Sequence, residues 1–174
     1  MTEFKSKRLL ICDRSGIRPL GVRMERRFAG REHLGPIRIL IVDDFAPWRR
    51  AVRSILAEDG DLEVIGESSD GLEAVQKSKE LQPDLVLLDI QLPTMNGLKA
   101  AREIREISPG TKILFLSSYQ DIEVMRDALR VGAGFVVKAD AARDLLPLLR
   151  AVIQNEPFLR FRFLRAEEPN PDQM

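Results

Sequence analysis

Two hydrophobic periodicities alternate along residues 37–154, and this restricts the fold of the 174-residue chain more than any other feature. Short apolar runs typical of strands alternate with longer segments in which apolar residues recur at helical spacing. The predicted strands are residues 37–42, 62–68, 85–88, 112–117 and 135–138. Strands that alternate with helices form a parallel sheet covered by helices on both faces. We therefore expect an α/β fold with a doubly wound, five-stranded parallel sheet.

Residues that start helices lie between these strands. Pro47 suits the first turn of the first helix, Asp70 precedes the second, and Asp140 caps the last. Apolar spacing assigns Leu72 to the inner face of the second helix and Ile107 to that of the third. The chain segment so defined is long enough to bury a single hydrophobic core.

The segment PDLVLLDIQLPTMNG, residues 83–97, ends the third strand at a carboxylate. Four apolar residues precede Asp89, and Pro93 with the pair Asn96-Gly97 then breaks the chain into a loop. In open parallel sheets, ligands bind at the carboxyl ends of the strands. Asp89 is therefore a candidate site residue.

Further polar residues fall at the ends of other strands. Asp43 and Asp44 follow the first strand, Ser117 ends the fourth, and Lys138 ends the fifth. Neighbouring carboxylates repel one another unless a cation joins them, and a set of oxygen ligands suits Mg²⁺. With the metal, Lys138 and Ser117 to hold phosphoryl oxygens, Asp89 is placed as a nucleophile toward phosphorus. Taken singly, each residue also has an ordinary structural explanation as a cap, a turn residue or a solvated charge.

Charge and cysteine content restrict the setting. The chain has 27 basic and 27 acidic residues, so overall charge gives no reason to expect a nucleic-acid partner. Residues 1–36 hold nine basic and four acidic side chains, a net of +5, and we expect a poorly ordered basic extension there. Cys12 is the only cysteine, and no apolar run is long enough to span a membrane. We expect a cytoplasmic protein that makes no membrane contact.

Four motifs occur in sequence between residues 37 and 154, namely ILIVDD, DLVLLDIQLPTMNG, ILFLSS and GAGFVVKAD. In order and spacing they resemble the receiver domain of bacterial two-component response regulators. The run ALRVGAGFVVKAD is similar to receivers of the LuxR/NarL/FixJ type. The resemblance implies a flavodoxin-like (βα)5 fold with strand order 2-1-3-4-5, and a phosphoprotein that carries an aspartyl phosphate in phosphorelay signal transduction.

The resemblance also implies a role for each residue that matches a family position. Asp89 would be the phosphoacceptor, taking its phosphoryl group from a histidine kinase or phosphotransfer protein. Asp43 and Asp44 would hold Mg²⁺ together with Asp89 and the backbone carbonyl of Gln91. Lys138 would pair with the phosphoryl group.

Three further roles follow from the same resemblance. Ser117 would be the switch hydroxyl, and Phe135 the aromatic residue that rotates inward with it, although its ordinary interpretation is a core aromatic. Gln91 and Tyr119 match positions that tune the rate at which the phosphoryl group is lost. One departure is Ala139, which follows Lys138 where the family often has proline.

The leading hypothesis is a stand-alone receiver that signals through phosphorylation-dependent protein contacts, with receiver residues 37–154 and a tail at 155–174. A partner or a second copy would bind the last two helices and strand five. The alternative is a truncated or decayed LuxR-type regulator that has lost its DNA-binding domain. We do not expect direct DNA binding, because the basic extension has no recognition helix.

A third hypothesis is a hydrolase of the haloacid-dehalogenase type, which also uses an aspartate nucleophile, Mg²⁺, Ser/Thr and Lys. That family requires a second acid two residues after the nucleophile, and Gln91 occupies this position. We therefore expect no enzyme activity beyond Mg²⁺-dependent self-phosphorylation and self-dephosphorylation.

Overall fold

The computed structural model of the protein describes residues 35–118 and 121–155. Within them the predicted alternation of strands and helices is confirmed. The strands are β1 (Ile37–Val42), β2 (Leu62–Ser68), β3 (Leu85–Asp89), β4 (Lys112–Ser117) and β5 (Gly134–Val137). The helices are α1 (Ala46–Leu56), α2 (Gly71–Leu81), α3 (Gly97–Ile107), α4 (Ile122–Val131) and α5 (Ala141–Ile153), with a 3₁₀ helix (Lys138–Asp140) before α5.

Several predictions concern residues outside the described ranges. These are Tyr119, Cys12, nearly all of the basic extension and nearly all of the tail. None of the helices in the described ranges combines the length and apolar character that crossing a bilayer requires.

The five strands form one parallel sheet in the order β2-β1-β3-β4-β5, which confirms the predicted flavodoxin-like topology. The register pairs Val42 with Leu88 and Asp89 with Leu116. On the other side of β4, Ser117 pairs with Val137. This alignment brings the carboxyl ends of the central strands to one edge of the sheet.

Alternate residues of each strand pack into two separate core layers. On β1, Ile39 and Ile41 pack with α1 and α5, whereas Leu40 and Val42 pack with α2, α3 and α4. All four are fully buried. Because both faces of the sheet are covered, the central strands carry continuous apolar runs rather than alternating ones.

Helix starts are set by side-chain caps at three of the five α-helices. Asp70, Asn96 and Asp121 each accept hydrogen bonds from two backbone N–H groups in the first turn. Asp140 lies at the cap position of α5 as predicted, but its carboxylate makes no capping hydrogen bond and lies 3.0 Å from Arg143 in an ion pair. The predicted position of Asp140 is confirmed, but the cap that was predicted for its side chain is not formed.

The inner-face assignments of Leu72 and Ile107 were wrong. These side chains are 55% and 40% exposed, respectively. The buried residues of α2 are small, namely Gly71, Ala74 and Ser78. A Cβ atom at Gly71 would lie 2.1 Å from the carbonyl oxygen of Met95, so α2 approaches the β3–α3 loop too closely for a larger side chain.

A second close approach fixes the start of α3 against the end of β3. The N–H of Gly97 donates a 2.9 Å hydrogen bond to the carbonyl of Ile90. A Cβ atom at this glycine would lie only 1.9 Å from the carbonyl oxygen of Asp89. The absence of a side chain at residue 97 thus sets the path of the loop that follows Asp89.

Candidate phosphoryl-acceptor site

The predicted site residues come to the same edge of the sheet. Asp43 directly follows β1, Asp89 is the last residue of β3, and Ser117 is the last residue of β4. Lys138 was predicted to end the fifth strand, but β5 ends one residue earlier and Lys138 begins the 3₁₀ helix. Although Lys138 lies one residue beyond the strand, its ammonium still contacts the carboxylates of Asp43 and Asp89.

Three carboxylates form a compact cluster in this position. One oxygen from each of Asp43, Asp44 and Asp89 lies within 4.8 Å of the others. The first and third are buried, with 1% and 5% of their surface exposed, whereas Asp44 is exposed. Oδ1 of Asp43 accepts a 2.9 Å hydrogen bond from the N–H of Phe45, and Oδ1 of Asp89 accepts one of 3.3 Å from the N–H of Gln91. One oxygen of each buried carboxylate is therefore held by its own loop.

Lys138 supplies the positive charge that faces these carboxylates. Its Nζ atom lies 2.7 Å from Oδ2 of Asp89 and 2.5 Å from Oδ2 of Asp43. The ammonium also lies 5.7 Å from the centre of the Trp48 ring, within the range of a cation–π contact. The lysine thus joins the ends of β1 and β3 with the first turn after β5.

Burial and charge act in opposite directions on the two members of this pair. Burial raises the pKa of the Asp89 carboxyl above its ordinary value and outweighs the Lys138 ammonium, which lowers it. Burial also acts to lower the pKa of Lys138, but hydrogen bonding and charge from Asp43 and Asp89 together raise it. The lysine therefore stays charged at neutral pH, while ionised Asp89 is disfavoured by its surroundings.

The donor set fits Mg²⁺. Oδ2 of Asp43 is buried and lies 2.5 Å from the ammonium of Lys138. Such an oxygen, with two further carboxylates nearby, offers the hard ligands that Mg²⁺ takes. A divalent cation would also offset the repulsion between three carboxylates that one lysine balances only in part.

The remaining predicted residues differ in their surroundings. Gln91 is exposed, two residues beyond the end of β3. Ser117 is 1% exposed at the end of β4. Phe135 is fully buried in the core layer that α2, α3 and α4 cover, and it pairs in register with Phe115. Phe135 therefore occupies a core position, as its ordinary interpretation predicted.

Two residues near the site were missed as contributors to it. The guanidinium of Arg49 donates a 2.7 Å hydrogen bond from Nη1 to the carbonyl of Asp43, and Trp48 lies beside the Lys138 ammonium. Both lie on the first turns of α1, directly after the acidic pair. Their nearness to Asp43 in sequence was a signal, but the partners of their side chains depend on how α1 packs.

The family model of the response regulator receiver domain matches residues 39–150, which is well over half of the chain. The protein belongs to the family of two-component response regulator receiver domains. Members of this family are typically phosphorylated on aspartate and bind Mg²⁺, and they are generally non-catalytic signalling domains.

Relatives and solved structures agree with this assignment. The response regulator protein VraR from Staphylococcus saprophyticus is 36% identical over 123 residues, covering 70% of this chain and 58% of VraR. The chain thus spans little more than half the length of this relative. The signal receiver domain of the response regulator NarL from Mycobacterium tuberculosis has a TM-score of 0.65 and 28% identity, covering 69% of this chain and 98% of that one. The predicted likeness to NarL-type receivers is confirmed.

A third comparison concerns a receiver with ligands. The CheX–CheY–BeF₃–Mg²⁺ complex from Borrelia burgdorferi has a TM-score of 0.64 and 29% identity, covering 68% of this chain and 90% of that chain.

Proposed function

We propose that Asp89 is the phosphoacceptor of this receiver domain and that phosphorylation changes its contacts with other proteins. The observation that carries the proposal is the position of Asp89, which is buried at the carboxyl end of β3 beside two aspartates and the Lys138 ammonium. A carboxylate that served only the fold would not require two further acids within 4.8 Å. The arrangement instead suits a site that gathers negative charge during phosphoryl transfer.

The transfer moves a phosphoryl group from a phosphohistidine nitrogen to a carboxylate oxygen of Asp89. A new O–P bond forms while the N–P bond breaks, and the electron pair of that bond returns to the imidazole. Lys138 already touches Asp89, so its ammonium is placed to neutralise charge on the transferred group without moving far. Ser117, buried at the end of the neighbouring strand, would donate its hydroxyl to the same group.

Asp43, Asp44, Asp89 and the backbone carbonyl of Gln91 are the residues that would hold Mg²⁺. The bound ion would supply positive charge to the oxygens of the phosphoryl group and draw the three carboxylates together. The CheY of the comparison is recorded with both BeF₃ and Mg²⁺, which supports the same chemistry here. Ser117 and Phe135 would report the modified state to the surface, and Gln91 with Tyr119 would tune its lifetime.

We further propose a stand-alone mode of action through protein contacts. A histidine kinase or phosphotransfer protein would supply the phosphoryl group, and the surface of α4, β5 and α5 would bind a partner or a second copy. Residues 1–36 would act as a basic extension and residues 155–174 as a tail. The alternative is a receiver that descends from a LuxR-type regulator and has no phosphorylation-dependent partner, and the likeness to the NarL receiver supports the descent alone.

The test is to treat the full chain with acetyl phosphate or beryllofluoride in the presence of Mg²⁺. Trp48 is the only tryptophan and lies beside the Lys138 ammonium, so its fluorescence should change on binding. Intact-mass spectrometry should show a single added phosphoryl group, lost in Asp89→Asn and kept in Asp127→Asn. Asp127 is the matched control because it lies half-exposed on α4 and pairs with Arg130.

Each result has a definite meaning. A phosphoryl group that persists in Asp89→Asn would refute the assignment of the acceptor. Pull-downs from a lysate with beryllofluoride-treated and untreated protein then separate the two modes of action. A partner retained only by the treated wild type supports the stand-alone receiver, and equal retention in both supports the alternative.

A further inference from the structure

Asp43 is held by both of its backbone polar groups. Its N–H donates a 3.0 Å hydrogen bond to the carbonyl of Ser68, and its carbonyl accepts a 2.7 Å hydrogen bond from Nη1 of Arg49. Its Oδ1 atom is held as well, by the N–H of Phe45. With these three groups fixed, Oδ2 is the oxygen left to face the ammonium of Lys138. The direction of the carboxylate therefore depends on the groups that hold its backbone.

Arg49 is itself fixed by a partner on the neighbouring strand. Its Nε atom lies 3.0 Å from Oε2 of Glu67 on β2, and only 17% of the arginine side chain is exposed. The guanidinium thus joins a carboxylate on β2 to the backbone that directly follows β1. A planar group with several donors can make both contacts at once, whereas the compact ammonium of a lysine is a single charge centre.

Arg53 binds the same glutamate from one turn further along α1. Its Nε and Nη2 atoms lie 3.0 and 2.6 Å from Oε1 of Glu67, and half of its side chain is exposed. Hydrogen bonds from Arg53 and then Arg49 lower the pKa of Glu67 against the effect of burial, so the glutamate is charged at neutral pH. The two arginines share a helix, a charge and a partner, and Arg49 alone adds the hydrogen bond to Asp43.

We propose that Arg49 is a positioning residue for Mg²⁺, which fixes the backbone of Asp43 so that its carboxylate meets the ion in a set orientation. The inference rests on the proposed function, because it takes Asp43 as a metal ligand. Groups that hold a ligand in place commonly change metal affinity when they are removed. Mg²⁺ demands near-ideal octahedral geometry, whereas Ca²⁺ accepts a flexible ligand set. Loss of the hydrogen bond from Arg49 to the carbonyl of Asp43 should therefore weaken Mg²⁺ binding more than Ca²⁺ binding.

The experiment compares Arg49→Lys with Arg53→Lys in the full chain. Both substitutions keep the positive charge on α1, so a difference in Mg²⁺ affinity between them cannot come from a change in charge repulsion toward the ion. Calorimetric titration should show about tenfold weaker Mg²⁺ binding for Arg49→Lys. Its Ca²⁺ affinity should fall less, which lowers the ratio of Mg²⁺ to Ca²⁺ affinity. Arg53→Lys should match the wild type in both affinities, and thermal unfolding in EDTA reports any loss of structure in either variant.

Equal Mg²⁺ affinity in the two variants would overturn the role of Arg49, and so would a parallel loss of Mg²⁺ and Ca²⁺ affinity. If Arg49→Lys unfolds in EDTA, Arg49→Gln provides the same test of the affinity ratio, because its amide can still reach one acceptor. If the wild type binds Mg²⁺ and Arg49→Lys binds it with the same affinity, this inference alone is refuted and the proposed metal site stands. A wild-type protein that binds no Mg²⁺ refutes the proposed metal site together with it.

Discussion

The ammonium of Lys138 donates a 2.7 Å hydrogen bond to Oδ2 of Asp89 across 49 residues of chain. The same nitrogen lies 2.5 Å from Oδ2 of Asp43, so one lysine balances two buried carboxylates. The contact ties the turn after β5 to the end of β3. It therefore serves the fold as well as the proposed chemistry.

Replacing Lys138 by methionine should lower both stability and phosphorylation. In EDTA, two buried carboxylates would lose their cation, and we expect a loss of about 3 kcal/mol in the free energy of unfolding. Mg²⁺ should restore much of this loss, because the ion can take over the charge balance. Phosphorylation by acetyl phosphate should slow by about a hundredfold even at saturating Mg²⁺.

Lys99→Met is the matched control for this measurement, since Lys99 lies exposed on α3. It should unfold at the wild-type urea concentration, with or without the metal. If Lys138→Met were as stable as Lys99→Met in EDTA, the ion pairs seen at the site would contribute nothing to the fold.

Gly97→Ala should destabilise the protein strongly. The added Cβ would lie 1.9 Å from the carbonyl oxygen of Asp89 and 2.9 Å from the Cα of Ile90, and both belong to the backbone. Either α3 or the end of β3 must shift, and we expect a cost of about 3 kcal/mol. Gly110→Ala is the control, because no atom lies within 4 Å of its Cβ position, and it should change stability by less than about 0.5 kcal/mol. Equal denaturation midpoints in urea would contradict the close approach.

Acid should remove a small contribution from Glu73. Its Oε1 atom lies 2.7 Å from Nζ of Lys77, and its Oε2 atom accepts a 2.7 Å hydrogen bond from Ser68. These contacts, the lysine first, lower its pKa from 4.5 to about 2. A pKa lowered by folding contributes stability above pH 4.5, and this contribution is lost as the pH falls toward 2. Because 42% of the side chain is exposed, the contribution should stay below about 1 kcal/mol.

Glu73→Gln should therefore be slightly less stable than the wild type at neutral pH and equal to it near pH 2. In a Lys77→Met background, the effect of Glu73→Gln on stability at neutral pH should be smaller, because the lysine is the main cause of the lowered pKa of Glu73. Urea unfolding between these two pH values measures the effect. Parallel stability curves for Glu73→Gln and the wild type would show that the contacts do not persist in solution.

The sequence predicted which charged side chains meet at this edge of the sheet, because they lie at strand ends that the topology brings together. Asp43, Asp89 and Lys138 lie at or just beyond the ends of three strands and were assigned to one edge of the sheet on this ground alone. Their contacts follow from the register of β1, β3, β4 and β5, which the apolar runs did not indicate. The predicted order of strands came from the family resemblance rather than from periodicity.

Side-chain packing on the helices was harder to predict. Leu72 fits an apolar stripe on α2, but the close approach of Gly71 to the carbonyl of Met95 turns the small residues inward and leaves the leucine exposed. Helical spacing indicates which residues share a face of the helix, but it does not indicate how closely that face approaches the adjacent loop or helix. The contact of Arg49 with the carbonyl of Asp43 was not predicted for a related reason. Every residue has a backbone carbonyl, so the sequence does not indicate which carbonyl a side chain will bind.

Asp89→Asn should make the metal-free protein more stable at neutral pH while it abolishes phosphorylation. Burial raises the pKa of Asp89, so the ionised carboxylate costs stability. This cost grows as the pH rises from the ordinary pKa of an aspartate to the raised pKa, and it is absent at low pH where the group is protonated in both states. The variant should therefore exceed the wild type in EDTA near pH 7, and the difference should close as the pH falls. Added Mg²⁺ should reverse the order, because binding at a hundred times the dissociation constant stabilises the wild type by about 2.7 kcal/mol. Thermal unfolding with and without Mg²⁺ measures both effects, and an unchanged order in Mg²⁺ would show that Asp89 is not a ligand of the ion.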